Sequence, residues 1–334
     1  GGTTAKTCVI DGGRPSLANG IEVARIHRFM KGSGLPIAIP VVDLIEIGAG
    51  GGSIAWVDRM GLLRVGPQSA GADPGPACYD RGGSEPTVTD ADLMLGYLDP
   101  EYFLGGRMKL HAEAAQRAVS RLAGAVGIEP VHAAAGIFSV VTENMAASAR
   151  IHIIGRNRDP RDYAIMAFGG AGPAHACEVA RTLGVKQVIV PLGAGVTSAV
   201  GCLAAPLSFE EVRSLPVLLG ETDWTAVNKV LSEMEDSGVA MLRDAGLSLD
   251  NVETVRSADM RLIGQIHEIN VPVPEGVMDA SRAAELEDRF HQIYQSLYSR
   301  RNLSIPVQVQ NWRVLVRAPQ LEVRLRHETQ VGNP

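Results

Sequence analysis

Two predicted strands in the first 200 residues, at 41–47 and 164–168, lead directly into glycine-rich segments. The run at 164–168 is short enough to form a buried strand. Gly169, Gly170 and Gly172 follow it, and Pro173 suits the first position of a helix. The pattern therefore predicts a strand, a glycine turn and a helix N-terminus in immediate succession.

This predicted turn has two interpretations. Glycine lacks a Cβ, so the backbone can approach a ligand closely. The free N–H groups and the positive end of the helix dipole favour a phosphate or a ribose there. The same residues also suit a tight strand-to-helix turn that binds nothing. These residues alone do not separate the two interpretations.

The remaining pattern before residue 208 predicts hairpins, strands and helices in alternation. The sequence Asp11-Gly12-Gly13 is a hairpin signal, and a second hairpin is expected to turn at 59–61. Thr89 or Asp90 can cap a short helix that reaches residue 97. The other predicted elements are strands over 41–47, 54–57, 62–65 and 187–190, helices over 111–126, 131–153 and 174–183, an irregular segment over 66–89, and a loop over 193–201.

The pattern changes beyond residue 208. Long charged amphipathic helices are predicted over 224–245 and 280–299, and strands over 255–263, 268–273, 307–316 and 321–325. We therefore expect two domains, 1–208 and 209–334. Arg261, Gln265 and Glu268 lie on predicted strands of the second domain, where they form part of a subunit interface or of a solvated strand face.

Composition and charge narrow the class of protein. The net charge is −6 and no run of lysine and arginine occurs, which argues against a nucleic-acid surface. The four cysteines form no CxxC pair, so we expect them to be reduced and mostly buried in a cytoplasmic protein. The first four residues do not read as a signal peptide. The segment 187–209 carries no charge, but its prolines and glycines favour a buried strand and a loop over a membrane span.

Several common catalytic motifs are missing from the sequence. No Gly-Lys-[Ser/Thr] occurs, which excludes a Walker A loop, and neither Gly-x-Ser-x-Gly nor His-Glu-x-x-His is present. The segment 48–53 nearly matches a dinucleotide-binding fingerprint. However, Ser53 stands where the third glycine belongs, and the residues after it favour a strand. The eight histidines show no metal-ligand spacing.

Three blocks in a fixed order go beyond these local patterns. They are GGTTAKT at 1–7, then EIGAGGGS at 46–53 continuing through VGPQSAGADPGPACY at 65–79 to PTVTDA at 86–91, and finally FGGAGPAH at 168–175. In this order they resemble the hydantoinase A/5-oxoprolinase family. That family includes the N-methylhydantoinase A subunit and the ATP-dependent acetone and acetophenone carboxylase subunits. The resemblance is strong over 1–208 and reaches further through 261–265 and 311–314.

The resemblance implies an α/β fold related to the actin-like, sugar-kinase-like and heat-shock-chaperone ATPases, which is ribonuclease H-like. In that fold two related lobes close on ATP, and each offers a glycine-rich hairpin to the phosphates. By this resemblance, 1–208 is the second lobe and 209–334 is a C-terminal α+β domain. The implied phosphate hairpin is Gly1, Gly2, Thr3 and Thr4, and the implied adenosine turn is Gly169, Gly170, Ala171 and Gly172.

The resemblance also implies roles beside the phosphates of ATP. Gly50 and Gly51 belong to the glycine loop after a predicted strand, and Glu46 ends that strand. Glu46 then orients a water or a ligand of Mg²⁺, or it is a satisfied strand-end carboxylate. Lys6 stands where many members carry Asp, and it either pairs with phosphate oxygens or is a solvated strand lysine.

Four further residues have a functional and a structural interpretation each. Asp90 serves Mg²⁺ through water or caps a helix, and the capping role is favoured. His175 contacts the nucleotide or packs against its neighbours. Asp73 and Cys78 shape a substrate or metal pocket, although a single cysteine is more often buried filler. The metal ligands themselves are not identified by the sequence.

One departure from the family concerns length. Family chains are considerably longer and begin with another lobe that carries the first phosphate hairpin. We therefore expect a fragment or one half of a split subunit, which works with that N-terminal lobe and a B-type partner subunit. The expected function is the ATP-binding part of a cyclic amide hydrolase. The alternatives are a subunit of an acetone- or acetophenone-type carboxylase and a non-catalytic half of such a complex.

Overall fold

The structure is a computed structural model that describes residues 2–18, 20–24, 33–37, 39 and 41–319. The chain divides into two compact units, one ending at Val200 and the other starting at Gly201. The sequence predicts a boundary near residue 208, and the first strand of the second unit begins there, at Ser208.

The strands of the first unit are short, and most pair as antiparallel ribbons. They are β1 (Ala5–Cys8), β2 (Ile10–Asp11), β3 (Arg14–Pro15), β4 (Leu17–Ala18), β5 (Ile21–Val23), β6 (Leu35–Ile37), β7 (Val41–Val42), β8 (Leu44–Ile47), β9 (Ser53–Val57) and β10 (Leu63–Ser69), followed later by β11 (Ile165–Met166) and β12 (Val188–Ile189). β2 pairs with β3, and β9 pairs with β10, which confirms both predicted hairpins. β1 pairs with β8, with Lys6 opposite Glu46.

Helices α1 (Val88–Met94), α2 (Ala112–Val126) and α3 (Pro130–Ile154) enclose the core of the first unit. α2 ends where Gly127 adopts a φ of 78°, a left-handed conformation that glycine takes without strain. α3 begins with proline, which has no N–H to lose at a helix start. Val88, Val119 and Ile137 are fully buried among these helices, so their apolar faces hold the unit together.

Helix α4 (Gly172–Leu183) connects β11 to β12, and the two strands are parallel. Parallel neighbours need a crossover of this kind, and the arrangement places the chain in the α/β class. The structure confirms the predicted strand, glycine turn and helix. Both strands are shorter than the apolar runs that predicted them.

The loop predicted over 193–201 is wrong in its second half. Residues Thr197–Ala204 form helix α5 after a short 3-10 turn at Ala194–Val196. Thr197 Oγ1 donates to the carbonyl oxygens of Gly193 and Ala194, 3.2 Å and 3.3 Å away. The residues inside α5 are small and uncharged, and they tolerate a helix once this turn has started it.

The second unit is an antiparallel sheet with helices. Its elements are β13 (Ser208–Leu218), α6 (Trp224–Asp244), β14 (Glu253–Leu262), β15 (Ile269–Pro272), α7 (Ala280–Tyr298) and β16 (Val307–Arg317), and the strand order is β13-β16-β14-β15. Asp223 and Asp279 cap the two helices through their side chains. Trp312, Phe290 and Leu231 are fully buried between sheet and helices. The predicted helices and strands are confirmed, except that 321–325 lies outside the described residues.

The cysteines are free, but the prediction that most are buried is wrong. Cys78 is buried, whereas Cys8, Cys177 and Cys202 are exposed. Cysteine is buried on average because it behaves as a small apolar residue, and that average does not say which helix or strand face a given cysteine occupies.

Among the described residues, no single helix is both long and apolar enough to cross a membrane. α2 and α3 pass that test only as a pair, and the pair is bent by 90°.

Candidate functional site

The N-terminal residues lie against the glycine loop that follows β8. Gly1 is outside the described residues. The carbonyl of Gly2 accepts a hydrogen bond from the N–H of Gly52, and Ser69 Oγ lies 3.4 Å from Thr3 Oγ1. A Cβ on Gly52 would lie 2.9 Å from the Gly2 oxygen and 2.8 Å from Ser69 Oγ. The approach of these two segments therefore requires glycine at 52.

Lys6, Glu46 and Thr4 form a polar cluster across β1 and β8. Lys6 Nζ donates to Glu46 Oε1 and to Thr4 Oγ1, both at 2.9 Å. The Lys6 and Glu46 side chains are 53% and 47% exposed. The hydrogen bond from Lys6 is the main reason why the pKa of Glu46 lies below its ordinary value, against the effect of partial burial. A carboxylate held in this way is a weak proton acceptor, so the cluster fixes Lys6 in place rather than preparing Glu46 as a base.

The glycine loop at 50–52 is held from both sides. The Gly50 N–H donates to Ser53 Oγ at 2.9 Å, and the Gly51 carbonyl accepts from both the N–H and the hydroxyl of Thr89, each at 2.8 Å. A Cβ on Gly51 would lie 2.7 Å from Thr89 Oγ1. Ser53 thus closes the turn and starts β9, which agrees with the predicted strand and not with a dinucleotide-binding helix.

The turn before α4 lies next to this loop. Gly169 has a φ of 92°, which side chains rarely adopt, and its N–H donates to the carbonyl of Ala194. A Cβ placed on Gly170 would meet no atom within 4 Å. A Cβ on Gly51 would lie only 3.7 Å from the Cβ of Ala171. The structure therefore brings together three of the segments that the sequence singles out: the N-terminal residues, the loop at 50–52 and the turn at 169–172.

Asp90 is a structural anchor in this arrangement. The cap of α1 is Thr87, not Thr89 or Asp90, and Asp90 occupies the third helical position of a capping box. Asp90 Oδ1 accepts from the Cys78 N–H at 2.7 Å, and Oδ2 accepts from the Ala77 N–H at 3.2 Å and from Thr87, whose N–H and hydroxyl lie 2.9 Å and 2.8 Å away. The side chain is fully buried. Because both oxygens already accept protein hydrogen bonds, the geometry supports the structural role of Asp90 and gives no support to the predicted role beside Mg²⁺.

Cys78 shares the surroundings of Asp90. Burial, followed by the nearby Asp90 carboxylate, raises the pKa of the Cys78 thiol far above its ordinary value. A thiol in this state is a poor metal ligand and a poor nucleophile. The buried-filler interpretation of Cys78 is therefore favoured over a pocket role.

His175 lies inside the first unit rather than at a surface. It is the fourth residue of α4 and is fully buried. Its ring lies 4.7 Å from that of Phe138, its Nδ1 is 3.3 Å from Thr142 Oγ1, and its Nε2 is 3.4 Å from Asp92 Oδ2. The predicted contact between His175 and a nucleotide is not supported, because the side chain points among α1, α3 and α4. Its contacts therefore join α4 to α1 and α3.

No metal centre accompanies these segments. Within the ranges that the structure describes, no three His, Cys, Asp or Glu side chains gather as metal ligands.

In the second unit, Gln265 Nε2 donates to Tyr294 Oη at 2.7 Å, and Arg261 Nη1 lies 3.8 Å from Glu268 Oε1. These three residues thus have partners within their own unit, and their predicted place in an interface is untested.

Sequence reasoning missed Thr89, Asp92 and Thr142 as parts of this region. Thr89 lies within the block at 86–91, and that position was the signal that its hydroxyl could hold a neighbouring segment. Asp92 and Thr142 gave no local signal, because their partner His175 lies on a different helix and the contact arises only from packing.

Comparison with known proteins places these observations in a family. The family model for hydantoinase/oxoprolinase matches residues 1–211. The caprolactamase subunit alpha of Pseudomonas jessenii is 37% identical over 315 residues, which is 93% of this chain and 44% of that protein. The crystal structure of the ATP-dependent caprolactamase from the same organism matches with a TM-score of 0.72 at 35% identity, covering 99% of this chain and 48% of that one.

A second solved structure is also similar. The nucleotide-free structure of acetone carboxylase, from work on ATP-dependent acetone carboxylation, matches with a TM-score of 0.75 at 27% identity. It covers 96% of this chain and 46% of that chain. The chain thus spans less than half the length of the relatives it matches. The match over 1–211 and the glycine segments within it lead to one conclusion: the chain belongs to the hydantoinase/oxoprolinase family.

Proposed function

We propose that this chain supplies the ATP-binding lobe of a cyclic amide hydrolase of the hydantoinase and oxoprolinase type. The observation that carries the proposal is the meeting of three segments at Gly2, Gly51 and Ala171. Backbone N–H groups near glycine and a free helix N-terminus are the usual protein partners of phosphate. Both similar structures belong to ATP-dependent systems, a caprolactamase and an acetone carboxylase, which supports the choice of nucleotide.

The fold proposed for the first unit is one lobe of an actin-like ATPase. In that fold β1 and β8 bear the phosphate hairpin, and the turn before α4 receives the adenosine. The closeness of Gly51 to Ala171 supports this assignment, since both parts must reach one nucleotide. The second half of the site then belongs to a further lobe, and the length of the relatives supports its existence.

The chemistry proposed is activation of a carbonyl by phosphoryl transfer. ATP supplies the phosphoryl group: the carbonyl oxygen of the amide bonds to the γ-phosphorus, ADP leaves, and the ring carbon becomes open to water. The task of this chain is to stabilise negative charge during that transfer. The proposed donors are the N–H groups of Gly51 and Gly172, because those of Gly50, Gly52 and Ala174 already donate to protein acceptors. Lys6, held by Glu46, is a proposed cation beside them.

A protein-bound Mg²⁺ fits the described residues less well than the nucleotide does. Asp90 is fully occupied by protein donors, and Glu46 is paired with Lys6. Mg²⁺ keeps most of its waters and is often held through substrate phosphates with one or two carboxylates. We therefore assign no protein ligand to Mg²⁺ and derive no step through it.

A second candidate is the corresponding subunit of an ATP-dependent carboxylase. The match to the acetone carboxylase structure over 96% of the chain favours it. In that case the activated carbonyl belongs to a ketone, which loses an α-proton as its oxygen takes the phosphoryl group of ATP and ADP leaves. The α-carbon of this enol phosphate then attacks the carbon of carbon dioxide, and water releases the phosphate. The relative named as a subunit alpha supports a partner subunit for either reaction.

The test uses the complete protein that contains this chain, purified with its partner subunit. Calorimetry with ATP compares the unaltered protein with Gly51→Ala and with the control Gly124→Ala. At Gly51 the added Cβ would lie 2.7 Å from Thr89 Oγ1, whereas at Gly124 it would meet no atom within 4 Å. The added Cβ must push the loop away from Thr89, so we expect Gly51→Ala to weaken ATP binding roughly tenfold, or by about 1.4 kcal/mol. Gly124→Ala should bind like the unaltered protein.

The reaction is then identified by ADP release with different substrates. Release that depends on a hydantoin, 5-oxoproline or a lactam supports the hydrolase. Release that depends on a ketone together with bicarbonate supports the carboxylase. ATP binding without turnover on either panel supports a non-catalytic half. No ATP binding by the unaltered protein contradicts the proposal as a whole.

A further inference from the structure

Two buried polar side chains, His175 and Asp92, lie next to each other between α1 and α4. His175 Nε2 and Asp92 Oδ1 are buried without a hydrogen-bond partner, and the second oxygen of Asp92 lies 3.4 Å from His175 Nε2. His175 is fully buried and Asp92 nearly so. Leaving such groups without any polar neighbour costs about 1–3 kcal/mol each, so the fold gains by keeping His175 Nε2 against Asp92 Oδ2.

The neighbours of the ring fix its orientation. A carboxylate only accepts, so Nε2 facing Asp92 carries the proton. Nδ1 then has a lone pair, which accepts from the hydroxyl of Thr142 at 3.3 Å. Phe138 lies against the imidazole, and Tyr97 stacks on Phe138 with ring centres 4.6 Å apart. The ring cannot turn away from Asp92 without breaking these contacts.

Helix α1 connects this pair to the glycine loop. Asp92 and Thr89 both lie on α1, and Thr89 holds the Gly51 carbonyl through two hydrogen bonds of 2.8 Å. Asp90, between them, ties the helix to residues 77 and 78. Because Asp92 and Thr89 share this seven-residue helix, the contact of Asp92 with His175 also sets the position of Thr89 and of the loop that Thr89 holds.

We propose that His175 is a positioning residue that sets the first turn of α4 relative to the loop at 50–52. It acts through Asp92 and Thr89 and does not touch the nucleotide. This proposal rests on the proposed function, because the two segments it aligns are the proposed contacts of ATP. If His175 only filled space, a phenylalanine in its place would serve as well.

The experiment measures both the loop and the ligand, in the complete protein with its partner. His175→Phe keeps an aromatic ring against Phe138 but has no donor for Asp92. His175→Gln keeps an N–H near the position of Nε2. Hydrogen exchange of a peptide that contains residues 50–53 is followed without nucleotide, and the ATP dissociation constant is measured by calorimetry.

We expect His175→Phe to raise the exchange rate at 50–53 and to weaken ATP binding about tenfold, which is the effect of 1.4 kcal/mol. His175→Gln should restore binding to within about threefold. Asp92→Ala should behave like His175→Phe. The double variant should be no weaker than the weaker single one, because the two residues act through one contact.

Equal exchange and equal ATP affinity in His175→Phe and the unaltered protein overturn the proposal. Additive losses in the double variant overturn it as well, since they indicate two independent packing defects. If His175→Phe does not fold, Asp92→Ala and His175→Gln decide the question by the same two measurements. If the unaltered protein does not bind ATP, the proposed function fails, and hydrogen exchange alone still decides whether His175 positions the loop.

Discussion

The substitution Asp90→Asn tests whether the Asp90 carboxylate has a structural or a catalytic role. Asp90 is fully buried and accepts four hydrogen bonds from Ala77, Cys78 and Thr87. These bonds fasten the start of α1 to the irregular segment before it. The substitution keeps the size of the side chain and replaces one acceptor oxygen with a donor NH₂ group. Its effect on stability therefore reports on the hydrogen bonds alone.

The hydrogen-bond geometry around Asp90 sets the expected loss in the free energy of unfolding. The remaining carbonyl oxygen of asparagine can take the Oδ2 position, where three donors meet, and the NH₂ group then faces the Cys78 N–H. Leaving that N–H unpaired costs about 1–3 kcal/mol. Bonds to a neutral oxygen are also weaker than bonds to a carboxylate, which are worth about 1.5–3 kcal/mol each. Together these changes predict a loss of about 3–5 kcal/mol in the free energy of unfolding.

The assay is chemical and thermal unfolding, followed by circular dichroism. At about 2–4 °C per kcal/mol for a domain of this size, the midpoint should fall by roughly 6–20 °C. Asp236→Asn, at an exposed position on α6, is the control and should change stability by less than about 0.5 kcal/mol. An Asp90→Asn protein that unfolds like the unaltered one but loses ATP turnover would refute the reasoning and restore Asp90 as a catalytic or metal-side group.

Two further substitutions test other parts of the account. Lys6→Met removes the main cause of the lowered pKa of Glu46, so an NMR titration should show that pKa rise toward its ordinary value. An unchanged pKa of Glu46 would contradict the assigned ion pair. A carboxyl whose pKa is lowered by folding stabilises the fold at pH values above its unfolded-state pKa. This stabilisation is lost as the pH falls through the folded-state pKa. The difference in stability between Lys6→Met and the unaltered protein should therefore be present at neutral pH and vanish in acid. Gly238→Ala would place a Cβ 2.5 Å from Val316 Cγ2 and should destabilise the second unit by about 1–3 kcal/mol. Gly124, by contrast, lies at an exposed position on α2 where a Cβ meets no atom within 4 Å, so Gly124→Ala should gain up to about 1 kcal/mol of stability in chemical denaturation. Equal effects at the two glycines would contradict the close packing of α6 on β16.

Much of the local structure was predictable because it depends on neighbours in the chain. The hairpin at Gly12-Gly13 and the turn at 169–172 follow from glycine conformations and short apolar runs. The long helices of the second unit follow from their amphipathic period, and Asp223 and Asp279 mark their starts. The resemblance to a family supplied the order of the glycine segments, and the structure placed three of them together.

The missed features depend on contacts that the sequence does not encode locally. Asp90 resembles a helix cap or a metal-side carboxylate until the donors of Ala77 and Cys78 are seen to reach it. His175 follows a glycine turn, where a ligand contact is a reasonable expectation, yet its position on α4 turns the ring toward Asp92. The loop predicted over 193–201 is wrong at α5 because Gly193 and Gly195 before the helix and Gly201 within it are typical of loops.

The most direct test of the central claim is a crystal structure of the complete protein with a non-hydrolysable ATP analogue. The account predicts phosphate oxygens within hydrogen-bonding distance of the Gly51 N–H and near Thr3 and Thr4. It also predicts the adenosine against Gly169, Gly170 and Ala171. A nucleotide bound elsewhere, with these segments unchanged and in contact with no ligand, would contradict the assignment of this lobe.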